Sequence, residues 1–225
     1  TMGPASNTAE QMAKLIEAGM NVARFNFSHG SHEEHLERFN NLKAARQATG
    51  KLCAILLDTK GPEIRTNDMQ DNAIDLVKGA TVRISMTEVL GTKDKFSVTY
   101  ADLINDVEVG SHILLDDGLV DLLVTEIDHA NQELVTEIQN SGVIKSKKGV
   151  NVPNVSINLP GITEKDAADI RFGVREGIDF IAASFVRRAS DVMEIREILE
   201  QEGRPNVKII SKIENQEGVD NIDEI

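Results

Sequence analysis

Residues 54–66 read Ala-Ile-Leu-Leu-Asp-Thr-Lys-Gly-Pro-Glu-Ile-Arg-Thr, so that an apolar strand runs directly into six charged or hydroxyl-bearing side chains. Burying a charge is costly unless the charge is paired or ligated. The charged residues Asp58, Lys60, Glu63 and Arg65 therefore predict ion pairing, a metal ion or an ionic substrate at the end of this strand. A strand that ends in this way is typical of an active site.

A second segment repeats the arrangement. Residues 21–30 read Asn-Val-Ala-Arg-Phe-Asn-Phe-Ser-His-Gly. Successive side chains of a strand point to opposite faces, so Arg24, Asn26 and Ser28 share one face and the intervening apolar residues share the other. The sequence predicts one convergent polar face and one packing face.

Strands and helices alternate in both flanks of the chain. Capping boxes begin helices at Thr8 and Ser31, and Thr163 caps a third helix. The predicted elements are a helix from Thr8 to Gly19, a strand at 21–28, a helix from Ser31 to Ala48, a strand at 52–59, a helix after Thr163, a strand at 180–186, a helix at 190–202, a strand at 207–213 and a helix start after Asn215. Apolar strands that alternate with helices indicate a parallel sheet covered by helices.

The helical period disappears between residues 66 and 158, where short alternating runs are separated by Asp-Gly, Asn-Ser-Gly and Lys-Gly turns. This interval predicts an all-β insert that could close as a lid. Polar residues at several strand ends favour a (β/α)₈ TIM barrel over an open doubly wound sheet, and no G-x-G-x-x-G or P-loop sequence is present. We therefore expect an α/β fold: a partial barrel at 1–61 and 158–225 with a β-rich lid domain at 62–157.

Composition narrows the class of protein. Lys and Arg total 24 against 37 Asp and Glu, giving a formal charge of -13, which opposes binding to nucleic acid or anionic membranes. Cys53 is the only cysteine, so a reducing compartment fits, and neither a spanning helix nor a secretion signal is predicted. We expect a cytoplasmic protein whose phosphate-binding groups form a local basic pocket.

The strand at 207–213 leads into Lys212 and Glu214, which alternate to the same side. Two interpretations remain open from these residues alone. The pair could be a structural ion pair, or it could be a cation beside a metal-binding carboxylate that stabilises negative charge on oxygen.

Together these segments resemble bacterial pyruvate kinases. The matching stretches run in order along the whole chain: Gly3-Pro4-Ala5-Ser6, Ala18 to Arg24, Asn26 to Gly30, Leu57 to Thr66, Leu115-Asp116-Asp117-Gly118, Lys147 to Asn151, Asp179 to Val186, and Lys212-Ile213-Glu214-Asn215. The resemblance implies a (β/α)₈ barrel with a β-rich lid inserted after the third strand, followed by a C-terminal domain.

The resemblance also implies an activity, the last step of glycolysis: transfer of the phosphoryl group of phosphoenolpyruvate to ADP, giving pyruvate and ATP, with Mg²⁺ (or Mn²⁺) and K⁺. It assigns Asn26, Ser28, Asp58 and Thr59 to K⁺, Glu214 to Mg²⁺, Arg24 to the transferring phosphoryl group and Lys212 to charge stabilisation. Arg65 and Lys148 would reach nucleotide phosphates, with Lys147 as the alternative, and Pro4, Asn26 and His29 would lie near substrate or nucleotide. Oxygen ligands and guanidinium groups suit these roles.

In the resembling family a second Mg²⁺ carboxylate and the substrate-carboxylate site follow beyond the position of Ile225. We therefore expect the chain to be inactive alone, and a homotetrameric, allosteric enzyme when complete. The family usually has Leu-Pro-Gly where this chain has Val152-Pro153-Asn154, so we expect the local turn of the lid hinge to differ from that of the family.

Two other functions stay open at this stage. A TIM-barrel lyase or aldolase that acts on enolpyruvate-type substrates would need no nucleotide groups, and a non-catalytic fragment would act only through binding or assembly. The histidines at 29, 32 and 35 are not predicted to hold zinc, because Ser31 caps a helix between them and no fourth ligand is evident. Ser184 lacks a G-x-S-x-G elbow and is predicted to be a small hydrogen-bonding residue.

Overall fold

A computed structural model describes all 225 residues, and the chain divides into two compact units. The first unit comprises Thr1–Pro62, Pro160–Glu214 and Asn221–Ile225, and the second comprises Glu63–Leu159 and Asn215–Asp220.

The strands are β1 Val22–Asn26, β2 Ala54–Asp58, β3 Ile64–Arg65, β4 Ala73–Leu76, β5 Thr81–Ser85, β6 Lys95–Ser97, β7 His112–Leu115, β8 Val120–Asp128, β9 Glu133–Ile138, β10 Gly142–Lys145, β11 Gly149–Asn151, β12 Phe180–Ala183 and β13 Lys208–Ser211. The helices are α1 Ala9–Glu17, α2 His32–Thr49, α3 Leu103–Asp106, α4 Glu164–Glu176, α5 Ala189–Gln201 and α6 Gln216–Asp220.

The first unit is built on a parallel sheet of four strands in the order β1-β2-β12-β13. Asn26 lies beside Asp58, and Asp58 lies beside Ala182, so three strands end at the same edge. Helices α2 and α5 connect neighbouring strands of this sheet. The unit is an α/β fold whose parallel sheet is consistent with part of a barrel.

Local sequence signals place the helices of this unit. Capping boxes are present at Thr8, Ser31 and Thr163, where the cap side chain and the third helical residue each accept a backbone N–H. Gly50 ends α2 in the left-handed conformation, with φ 67°. The predicted helices are confirmed at these positions.

The core of the first unit is apolar and aromatic. Phe25 and Phe39 are fully buried and meet edge to face, with ring centroids 4.6 Å apart. Such a pair stabilises the fold by about 1 kcal/mol beyond its area burial. The alternation predicted for β1 is confirmed, because Ala23 and Phe25 are buried while Arg24 and Asn26 are only half-buried. Cys53 is buried as a free thiol, and burial raises its pKa.

The second unit holds a seven-stranded sheet in the order β3-β11-β7-β8-β9-β5-β6 and a two-stranded sheet of β10 and β4. The interval is not purely β, because it contains the four-residue helix α3 and a 3-10 turn at Gln70–Asn72. Leu103 and Ile104 of α3 are both buried. A helix this short has no room for a 3.6-residue repeat, so its sequence carries no helical pattern.

All four strands of the parallel sheet end earlier than their sequence patterns predict, β2 by a single residue at Asp58. β1 ends at Asn26 because the Asn26 side-chain oxygen accepts the N–H of Ser28, 2.9 Å away, and turns the chain. β12 ends at Ala183, and Phe185 adopts a left-handed backbone with φ 57°. β13 ends at Ser211.

No helix of the chain has the length and apolar character needed to cross a membrane.

Candidate active site

Asp58 is the centre of a charged cluster at the carboxyl edge of the parallel sheet. It is the last residue of β2, and only 2% of its surface is exposed. Its Oδ2 accepts hydrogen bonds from Nε (2.7 Å) and Nη2 of Arg24, the middle residue of β1. Its Oδ1 accepts from Nζ of Lys212, 3.0 Å away and one residue beyond β13. Asp58 therefore joins cations supplied by two other strands.

Lys212 contacts two further groups. Its Nζ donates to Oγ of Ser184 over 2.8 Å and lies 3.5 Å from Oε1 of Glu214. The Lys212 backbone is fixed as well, since its N–H donates to the Ala183 carbonyl over 2.9 Å. The predicted convergence of Lys212 and Glu214 is therefore observed. We call Arg24, Asp58, Ser184, Lys212 and Glu214 the strand-end cluster.

Ser184 connects Lys212 to the residue after Asp58. It donates its hydroxyl to the Thr59 carbonyl over 2.6 Å, and its N–H donates to Oγ1 of Thr59 over 3.0 Å. Because the hydroxyl has only one proton, which it donates to Thr59, its oxygen accepts the hydrogen bond from Lys212. No histidine activates Ser184, which matches the hydrogen-bonding role predicted for it rather than a nucleophilic one.

Glu214 is oriented by an unusual backbone conformation. The N–H of Phe185 donates to Oε2 of Glu214 over 2.9 Å. Phe185 does so from φ 57°, in the left-handed region that bulky residues rarely adopt. The sequence holds no signal for this role of Phe185, which is therefore visible only in the structure.

Gly61 allows the chain after β2 to approach Ser184. Its φ is +74°, and a Cβ atom there would lie 2.8 Å from both Cβ and the carbonyl oxygen of Ser184. Its N–H donates to Oδ1 of the buried Asp166 over 3.1 Å. Only glycine combines this backbone conformation with so close an approach.

The residues predicted to hold K⁺ meet at the same edge. Asn26 pairs with Asp58 across the sheet, and the N–H of Phe27 donates to the Asp58 carbonyl over 2.9 Å. Thr59 directly follows β2, and Ser28 lies two residues beyond β1. Amide, hydroxyl, carbonyl and carboxylate groups therefore lie at one edge of the sheet, and oxygen donors suit a hard monovalent cation better than a transition metal. Both Asp58 oxygens and the Thr59 hydroxyl accept hydrogen bonds from protein groups in this structure. The chain has no group of three or more His, Cys, Asp or Glu residues placed to hold a metal ion.

The predicted nucleotide-binding cations lie in the second unit. Arg65 pairs with Glu63 over 2.7 Å, and this carboxylate raises the pKa of the Arg65 guanidinium. Arg65 is in register with Gly149, which follows Lys148. Lys148 pairs with Asp116 over 3.0 Å, whereas Lys147 pairs with the exposed Asp68 over 3.1 Å.

The remaining predicted residues lie on exposed segments of the first unit. Pro4 is exposed in a turn closed by the Ser6 N–H and the Gly3 carbonyl. The N–H of Met2 donates to the Arg24 carbonyl over 2.8 Å, which ties this turn to β1. His29 is exposed, and its carbonyl accepts from Nε2 of His35 over 2.8 Å.

The chain is similar to known proteins over its whole length. The family model described as "Pyruvate kinase, barrel domain" matches residues 1–225. Pyruvate kinases of Staphylococcus aureus strains MRSA252 and USA300 are each 63% identical over 225 residues. The match covers 100% of this chain but 38% of each relative. The chain therefore spans well under half the length of the curated relatives it matches.

Proposed function

This chain belongs to the pyruvate kinase family, and on that premise we propose that it carries part of the active site of a phosphotransferase that moves a phosphoryl group from phosphoenolpyruvate to ADP. The products are pyruvate and ATP. The whole reaction is a proposal for the intact protein that includes this chain, because the chain covers 38% of its relatives.

One observation carries the proposal: Lys212 and Arg24, from different strands, converge on the two oxygens of the buried Asp58. Phosphoryl transfer requires mainly positioning and the neutralisation of developing negative charge. A site with two cations, and without a serine–histidine pair, suits that chemistry. The alternative of a structural ion pair between Lys212 and Glu214 explains that contact, but not the second cation, Arg24, that shares Asp58 with Lys212.

Arg24 and Lys212 of the strand-end cluster have different proposed roles in phosphoryl transfer. The Nη1 group of Arg24 does not contact Asp58 and donates to the Thr1 hydroxyl. Oxygens of the transferring phosphoryl group could replace that hydroxyl and bind the guanidinium in two-point contacts. The Lys212 ammonium has three protons, two of which point to Asp58 and Ser184. Its third can stabilise negative charge on the enolate oxygen and the departing phosphoryl group.

The oxygen ligands fit two cations. Asn26, Ser28, Asp58 and Thr59 would hold K⁺, and Glu214, oriented by the Phe185 N–H, would supply one ligand to Mg²⁺ or Mn²⁺. When bound, these cations would neutralise phosphate charge and orient the phosphoryl oxygens. Asp58 balances the charges of Arg24 and Lys212 whether or not K⁺ is bound.

Nucleotide binding is assigned to the second unit. Arg65 and Lys148 are cations on adjoining chain segments, and phosphate oxygens could replace Glu63 and Asp116 as their partners. Pro4 and His29 are proposed as further substrate- or nucleotide-binding residues, and both belong to the first unit. We propose that residues 62–157 form the inserted lid of a (β/α)₈ barrel to which residues 1–61 and 158–225 contribute, a division supported by the two compact units.

The proposal includes a cytoplasmic, homotetrameric, allosteric enzyme of glycolysis that does not bind nucleic acid or membranes, in keeping with the charge of -13. A barrel lyase acting on enolpyruvate-type substrates is the alternative. It would not require Arg65 or Lys148, so dependence on ADP separates the two.

The test is an assay of pyruvate release by the intact protein with phosphoenolpyruvate, Mg²⁺ and K⁺, in the presence and absence of ADP. We expect pyruvate and ATP to form in equal amounts only when ADP is present. Pyruvate formed without ADP would favour the lyase, and no turnover under any of these conditions would refute the assignment.

A further inference from the structure

Outside the strand-end cluster, the first unit contains a charged network with no role in the proposed chemistry. Asp169 of α4 is 2% exposed, and each of its two carboxylate oxygens contacts a basic side chain. Oδ2 lies 2.5 Å from Nζ of Lys165, and Oδ1 lies 2.7 Å from Nε2 of His32. Lys165 also donates to the Phe27 carbonyl over 2.9 Å.

These contacts hold both ends of one loop. Phe27 is the first residue after β1 and His32 is the first residue of α2, so the segment 27–32 connects strand to helix. Lys165 holds the segment at its start and His32 holds it at its end, and both are bound to Asp169. We call Lys165, Asp169 and His32 the Asp169 clamp.

Aromatic packing supports the same segment. His32 stacks on Phe172 of α4 with centroids 4.3 Å apart, and Phe27 stacks on the buried His35 at 3.9 Å. His35 also holds the His29 carbonyl. The loop is therefore fixed at its start, middle and end, which is more support than a surface connection needs.

We propose that Lys165 is a positioning residue for the monovalent cation site, acting through the Phe27 carbonyl and held in place by Asp169 and His32. The inference rests on the proposed function, because Asn26 and Ser28, the expected ligands, flank Phe27. A hydrogen bond from an ammonium group to the intervening carbonyl fixes the peptide units that carry both ligands. Asp169 offsets the charge of Lys165, which would otherwise oppose a cation nearby.

The test compares the intact protein with Lys165→Met, Asp169→Asn and His32→Phe. His32→Phe keeps a ring to stack on Phe172 and removes the ring nitrogens, including the Nε2 bound to Asp169, so it remains informative if the other variants fold poorly. Lys14→Met is the matched control, because it removes the lysine of an exposed i,i+4 pair with Glu10. Tetramethylammonium chloride keeps the ionic strength constant while K⁺ is varied.

Two measurements are made on each variant. Hydrogen exchange of peptides covering residues 27–32 is recorded by mass spectrometry with and without K⁺, in the absence of substrate. The K⁺ concentration for half-maximal activity and kcat at saturating K⁺ are then determined. The first measurement reports on the loop and on cation binding without any need for turnover.

We expect faster exchange of residues 27–32 in Lys165→Met and a half-saturating K⁺ concentration raised about tenfold, the effect of one charge-assisted hydrogen bond. At saturating K⁺, kcat should stay within about twofold of wild type, since the ligands themselves remain. Asp169→Asn should raise the K⁺ requirement at least as much because it leaves the Lys165 charge unbalanced, and His32→Phe should raise it about threefold.

Unchanged exchange at 27–32 in Lys165→Met, an unchanged or tighter K⁺ constant, or the same change in Lys14→Met would overturn the inference. Failure of the proposed function looks different. If the wild-type protein lacks phosphotransferase activity but K⁺ slows exchange at 27–32, and Lys165→Met abolishes that protection, the clamp stands and the enzymatic assignment falls.

Discussion

The ammonium nitrogen of Lys212 lies 3.0 Å from Oδ1 of Asp58, although 154 positions separate the two residues in the chain. The other oxygen of the same carboxylate binds Arg24, which is 34 positions away. Removing either cation would take a charge-assisted hydrogen bond from one oxygen of this buried carboxylate, which would destabilise the folded state. The sheet brings these three strand ends together, so the fold and the proposed chemistry depend on the same contacts.

Replacing Lys212 with Met should reduce kcat of the intact protein by about 10²- to 10³-fold, the loss typical of removing one preorganised charge-stabilising donor. The KM for phosphoenolpyruvate should change little, since the lysine acts mainly on charge that develops in the transition state. Steady-state kinetics at saturating ADP, Mg²⁺ and K⁺ measure both parameters. Lys208→Met, at the exposed opposite end of β13, is the control. A variant with normal kcat and raised KM would contradict the assigned role.

Much of the first unit follows from local sequence. The capping boxes at Thr8 and Ser31 are completed by side chains three residues away, so their signals need no tertiary information. Lys212 and Glu214 could be predicted to converge because residues two apart share a face of an extended chain.

Other features depend on partners that are distant in the chain. The sharing of Asp58 between Arg24 and Lys212 requires strand order, which a sequence pattern does not specify. The left-handed backbone of Phe185 is stabilised by Glu214, 29 positions away, and phenylalanine itself disfavours that conformation. Such tertiary effects are expected at functional sites, where local preference yields to geometry.

Gly61 and Gly50 provide a matched test of close approach to the strand-end cluster. Both have left-handed backbones, with φ +74° and +67°, but a Cβ at Gly50 would meet nothing within 4 Å. Gly50→Ala should therefore cost only the conformational penalty, about 1 kcal/mol. Gly61→Ala should cost about 3 kcal/mol or more, because its methyl group would also collide with Ser184.

Urea unfolding followed by circular dichroism measures both changes in the free energy of unfolding; the chain contains no tryptophan for fluorescence. Equal destabilisation by the two substitutions would mean that the approach of Gly61 to Ser184 is not a constraint. The Gly61→Ala variant should also show lower activity in the intact protein, whereas Gly50→Ala should not.

Lys147 and Lys148 are neighbours with different surroundings, which makes them a second matched pair. Lys148 is half-buried against Asp116, whereas the pair of Lys147 and Asp68 is mostly exposed. In the intact protein, Lys148→Met should raise the KM for ADP about tenfold through loss of a charge-assisted phosphate contact. Lys147→Met should change it less than about twofold. Steady-state kinetics at saturating phosphoenolpyruvate measure the effect, and the reverse ranking would move the nucleotide contact to Lys147.

His35 should make stability depend on pH. The side chain is 1% exposed and stacks on Phe27, and its Nδ1 has no hydrogen-bond partner. Burial lowers the pKa of His35 below its ordinary value of 6.5, an effect that the hydrogen bond to the His29 carbonyl opposes only in part. The folded chain therefore keeps the imidazole neutral at pH values where the unfolded chain binds a proton.

The sign of the pH effect follows from this difference. As pH falls through about 6.5, the unfolded state takes up a proton that the folded state does not, so the free energy of unfolding decreases, by at most about 1.4 kcal/mol per pH unit. The loss stops once pH falls below the lowered pKa of the folded state. Urea unfolding between pH 8 and about 5.5 lies above the range of ordinary carboxylates, so it leaves histidines as the groups to be distinguished, which the variants do. His35→Gln should flatten this dependence, since glutamine can still donate to the His29 carbonyl but cannot titrate, while His129→Gln, at an exposed position, should leave it intact. Equal pH slopes in wild type and His35→Gln would show that His35 is not the group responsible.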